Sequence, residues 1–101
     1  MASSKEYRDF ILDQLSSLDE IRTRPMMGEY LLYCGSVLVG GIYDNRLLLK
    51  PTPSILIRLP DAVMQPPYDG AKPMVLIEDV DDRESLAELI TAVAGDLSEK
   101  S

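Results

Sequence analysis

Three groups of residues in this chain have types and spacings that could do chemistry: a lone thiol, an acidic run, and a scatter of cations and tyrosines. Cys34 is the single cysteine, and the chain has no histidine. A catalytic thiol needs a positioned base, and histidine is both the commonest such base and the commonest transition-metal ligand. Cys34 therefore reads as structural or merely exposed, and it cannot form an internal disulfide. Glu78, Asp79, Asp81, Asp82 and Glu84 make the acidic run. They offer oxygen ligands without the spacing or the turn glycine of a calcium loop. They read better as a helix start, with Asp81 as cap and Glu84 closing the capping box. Gly40-Gly41 lacks both the G-x-G-x-x-G spacing and a following Lys-Ser/Thr, so no phosphate loop is supported. The expectation is a protein that is not an enzyme, with no catalytic residue, metal or cofactor.

The third group points to contact rather than catalysis. Met26, Tyr30, Tyr33, Arg46, Lys50, Tyr68 and Lys72 are the candidate interaction surface, since Tyr, Met and Arg are favoured where surfaces meet. Arg22 and Arg24 extend it into a basic cluster with Arg46, Lys50 and Lys72. The net charge of −7, from 17 acidic and 10 basic residues, argues against duplex nucleic acid. Such binding rests on neutralising phosphates with Lys and Arg. A protein partner or self-association, for which a homodimer is one form, is the first expectation, and nucleic acid is the alternative. The absence of a signal-peptide pattern in MASSKEYRDF, of a bilayer-length apolar run and of paired cysteines favours the cytoplasm over secretion or a membrane.

These residues must be positioned by a single domain, 1–101, large enough for one modest core. Its centre is Arg24 to Pro51. Glu29–Cys34, Val37–Tyr43 and Arg46–Lys50 are apolar runs joined by Gly35-Ser36 and Asp44-Asn45. Glycine first suits a type II′ hairpin turn, and Asp-Asn tolerates the left-handed residues of a type I′ turn, so a three-strand meander follows. The pleat puts Leu47 and Leu49 on a core face, with Arg46, Leu48 and Lys50 on the other. Gly40-Gly41 needs a bulge or a close neighbour, and a helix packed tightly across the sheet is the expected one. Of the two methionines, Met27 is expected to fill a gap between helix and sheet. Met26 is assigned to neither core nor surface.

Around the meander, Ser3 and Glu6 have the form of a capping box. Tyr7, Phe10, Ile11, Leu15 and Leu18 recur at helical spacing, giving a helix over 4–18. Ile21 and Thr23 could begin an edge strand, on which Pro25 sits where no ladder bond is needed. Thr52 and Pro53 read as the cap and first position of a short helix over 54–59, although its alternation equally suits a strand. Residues 60–73 carry four prolines and are expected to be an irregular loop with a turn at Asp69-Gly70. That loop either braces the sheet through Tyr68 or covers a small-anion or metabolite site. Met74–Glu78 reads as a fourth clear strand, and Leu86 to Leu97 as a closing helix over 82–97, with the chain fraying from Ser98.

The segments RPMMGEY, VGGIYDNRLLLKP and PPYDGAKPM resemble the N-terminal domain of the TfoX/Sxy family, named for bacterial regulators of natural competence. The resemblance spans nearly the whole chain, as a stand-alone N-terminal domain without the C-terminal one. It implies a regulatory role and a fold like that of secretion-chaperone domains. The combined expectation is a two-layer α+β domain. An antiparallel-rich sheet of three meander strands and a further strand carries both terminal helices on one face. Its other face, left apolar by Leu31 or Leu32, Leu48 and the tyrosines, would be an uncovered interaction surface.

Overall fold

A computed structural model describes residues 3–99. The layers are as expected, an α+β arrangement with helices on one face of an antiparallel sheet. Helix α1 is Lys5–Gln14, followed by strands β1 Ile21–Met26, β2 Glu29–Cys34, β3 Val37–Tyr43 and β4 Arg46–Leu49. Then come α2 Pro53–Arg58, β5 Met64–Gln65, β6 Met74–Ile77 and α3 Arg83–Glu99. The sheet has six strands in the order β1-β2-β3-β4-β6-β5, every pair antiparallel. The expected edge strand at Ile21 is thus a full partner of β2, which makes the meander four-stranded. The supposedly irregular 60–73 segment contributes β5.

Register divides the sheet cleanly. Leu32, Gly40, Leu49 and Val75 share one row, and Tyr30, Ile42, Leu47 and Ile77 share another. Those rows face Ile11 of α1 and Leu15 at its C-cap, Ile55 of α2, and Leu86, Ile90 and Val93 of α3, which form one buried core. Tyr30 belongs to that core at 8% exposure, with the Arg8 guanidinium 5.1 Å above its ring. It is therefore not a surface residue: the pleat that buries Leu32 buries Tyr30 two positions earlier.

Turns and caps account for the remaining departures. Gly35 has φ +63°, and Asp44 and Asn45 have φ +53° and +55°, as II′ and I′ turns require. A third two-residue turn, Met27-Gly28, joins β1 to β2 with φ +51° and +85°. Met27 therefore projects from a hairpin tip at 96% exposure instead of filling a gap. Ser4, not Ser3, caps α1 by accepting from the Tyr7 N–H at 3.1 Å. Ser3 instead ties two hairpin tips together. Its N–H and hydroxyl donate to Glu29 Oε1 at 2.7 and 2.8 Å, and its Oγ accepts from the Asn45 N–H. Glu29 Oε2 in turn accepts from the Asp44 N–H.

At α3 the cap is Asp82, whose carboxylate accepts from the Ser85 N–H at 3.1 Å, one residue later than expected of Asp81. The Asp81 carbonyl instead accepts from the side-chain amide of Gln14, joining the loop to α1. Helix α2 starts at Thr52-Pro53, but its N-terminus is satisfied by Asp96 of α3, which accepts from the Ser54 N–H and hydroxyl, each at 2.7 Å. The expected α1 is shortened to Gln14. α3 continues to Glu99, past the expected end, and the last expected fraying residues lie outside the described ones.

Candidate functional site

The face of the sheet away from the helices collects the surface candidates. Arg24, Leu31, Gly41, Leu48 and Leu76 lie in one cross-strand row of it, and Arg22 pairs with Tyr33 in the next. Arg46 and Lys50 flank Leu48 by strand alternation. This face is not uniformly open. Leu48 has no exposure and Tyr43 is buried, so they are not the apolar contact surface expected of them. The reason is the proline-rich segment, which folds over this half of the sheet and sets the Tyr68 ring 6.5 Å from that of Tyr43. Arg46 reaches across to bond the Gln65 side chain and the Tyr43 carbonyl, which holds it within the cover.

Two glycines make this arrangement possible. A Cβ at Gly40 would stand 2.1 Å from the Leu48 carbonyl oxygen, and one at Gly41 would stand 2.5 Å from the Tyr43 ring. The expected close neighbour was a helix. The actual ones are the β4 backbone and an aromatic ring lying back over its own strand, beside a register shift at Leu32/Tyr33. The close approach was legible in the glycine pair, but its direction was not, because helix and strand neighbours make the same demand.

The outer face thus has two halves. In the open half, over β1 and β2, the Arg22 guanidinium stacks 4.8 Å from the Tyr33 ring, and Arg24, Met26 and the Met27 tip are exposed beside it. In the covered half a groove of about 340 Å³ remains between the proline-rich segment and β3/β4. Lys50, Tyr68 and Lys72 line it, with Tyr68 still 62% exposed. Of the expected surface residues, Met26 and Tyr33 fall in the open half and Lys50, Tyr68 and Lys72 in the covered one. Arg46 is engaged, and Tyr30 is in the core. Met27, Leu38 and Met74 were missed as surface or groove residues.

Charge is divided between the two layers. Among the described residues the ion pairs are Arg8–Asp9, Arg58–Glu88 and Arg83–Asp13, all on helices. The outer face holds Arg22, Arg24, Arg46, Lys50 and Lys72, five of the chain's 10 basic residues, and none is in one of those pairs. Burial, then the neighbouring Tyr68 and Glu29, push the Tyr43 phenol above its ordinary value. Burial and Glu20 likewise raise the Cys34 thiol, which keeps it protonated and a poor nucleophile. No group of three or more His, Cys, Asp or Glu among the described residues could hold a metal ion. A second cavity of about 420 Å³, between α2, β6 and α3, mixes Arg58 with Asp61, Glu78 and Asp79. Its lining is net acidic, since Arg58 is already paired with Glu88.

The model of the TfoX N-terminal domain matches residues 13–94. The chain belongs to that family. The match runs from the end of α1 into α3, so it takes in the whole sheet and both halves of its outer face. The chain is also 38% identical over 80 residues to an uncharacterized 12.7 kDa protein in the trpE 5′ region of Spirochaeta aurantia, spanning 79% of this chain and 70% of that one. No solved structure matches it significantly. No helix among the described residues is long and apolar enough to cross a membrane.

Proposed function

We propose that this TfoX N-terminal domain is a non-catalytic, cytoplasmic regulatory or adaptor module that associates with an acidic protein partner through the open half of its outer sheet face. The observation that carries the reading is the segregation of charge. A chain of net charge −7 keeps five cations on one face, outside the ion pairs of Arg8, Arg58 and Arg83, and two of the five, Arg22 and Arg24, stand in its open half. A basic field on an otherwise acidic molecule selects and orients an acidic partner. Arg22 stacked on Tyr33, with Arg24 and Met26 alongside, supplies the residue types that anchor contacts.

Two features favour a different protein over a second copy. An isologous pair would set like charges of this face against each other. Pro25 removes a donor from β1, whose far side is the sheet's free edge, and this discourages strand addition there. The same cations and tyrosines support a second reading, contact with nucleic acid. Capture from native extract on the tagged full chain, with and without nuclease, separates the two. A protein partner retained after nuclease, and released by raised salt, is expected. Partners lost on nuclease treatment would move the nucleic-acid reading ahead.

A further inference from the structure

We infer that the groove in the covered half of the sheet is a ligand site for a small monocarboxylate with an apolar, preferably aromatic, body. Its volume of about 340 Å³ is at the lower end of the roughly 300–1,000 Å³ range in which pockets bury small ligands. The body of the ligand is set by the walls. The groove passes the Gly40 backbone, and Leu38, Pro67 and Met74 surround it with apolar surface. Tyr43 and Tyr68, their ring centroids 6.5 Å apart and tilted 57° to one another, add aromatic surface to the lining.

The head group is set by charge. Lys50 and Lys72 are the charged residues lining the groove, no carboxylate lines it, and neither lysine is in an ion pair among the described residues. Two ammonium groups are point donors that suit one carboxylate. The lining supplies no arginine to fork a phosphate and no helix N-terminus, so the head group proposed is a single carboxylate held by point charges. This site is separate from the open half of the face and does not depend on the protein-association reading.

The probe is 4-phenylbutyrate against its neutral amide, 4-phenylbutyramide, each titrated into the full chain by saturation-transfer NMR. Tyrosine emission is a second readout, free of tryptophan background in a chain with 5 Tyr and no Trp. The carboxylate is expected to bind about five-fold tighter than the amide, the contribution of two partly exposed charge contacts. The Lys50→Met/Lys72→Met variant is expected to abolish that preference while still binding the amide. Equal binding of acid and amide, or no binding of either at about 10 mM, would overturn the inference. So would a preference that survives in a double variant with an unchanged circular dichroism spectrum.

Discussion

At the scale of single residues, the sheet's geometry depends on two glycines and one buried phenol. A Cβ at Gly40 would overlap the β4 carbonyl, and that neighbour is backbone, which cannot turn aside. Gly40→Ala is therefore expected to destabilise the fold by about 3 kcal/mol or more, measured as a shift in the urea midpoint. An unchanged midpoint would show that β3 and β4 are not so close. Tyr43 gives a pH signature. Its folded-state pKa lies above the ordinary 10.0, so the folded state holds the phenol proton more tightly than the unfolded chain does. The stability this contributes is complete below pH 10.0 and is lost as pH rises through the folded value. Tyr7 shifts the same way, chiefly by burial. Stability measured by urea denaturation across alkaline pH should therefore fall less steeply in Tyr43→Phe than in the parent, without becoming flat.

At the scale of elements, the hairpin tips decide which parts of the fold were legible in the sequence. Gly35-Ser36 and Asp44-Asn45 were readable because their residue types favour positive φ, and both turns formed as that chemistry requires. Met27-Gly28 was not, because methionine has no such preference. With that turn hidden, β1 could be seen only as a possible edge, and Met27 was assigned inside. Periodicity placed α1 and α3, while their caps slipped by a residue wherever adjacent polar residues competed for one role, as at Ser3/Ser4 and Asp81/Asp82. The covered half of the outer face was legible in part: one of the two readings of the 60–73 loop braces the sheet through Tyr68, which packs beside Tyr43. Alternation could not tell that Leu48 would be buried beneath it.

The strained Met27 is testable in its own right. Met27→Asn supplies the favoured type I′ residue and should raise stability by about 1 kcal/mol. If Met27 belongs to the contact surface, the same variant should capture less partner. Greater stability with undiminished capture would leave Met27 outside the interface.

At the scale of the molecule, cations are engaged differently in the helix layer and on the sheet's outer face. Three helix cations are engaged in Arg8–Asp9, Arg58–Glu88 and Arg83–Asp13, whereas the outer-face cations lie outside those pairs. Fold and family are consistent with many functions, so the functional reading stands on this face and not on the architecture. The most direct measurement is quantitative capture from nuclease-treated native extract by three tagged forms of the chain: parent, Arg22→Glu/Arg24→Glu, and a charge-matched control, Lys5→Glu/Arg58→Glu, on the helix layer. The account predicts that partner protein recovered by the parent and the control is depleted at least about ten-fold by the outer-face variant, from loss of two contacts and like-charge repulsion. Equal recovery by all three, with the variants folded, would contradict it.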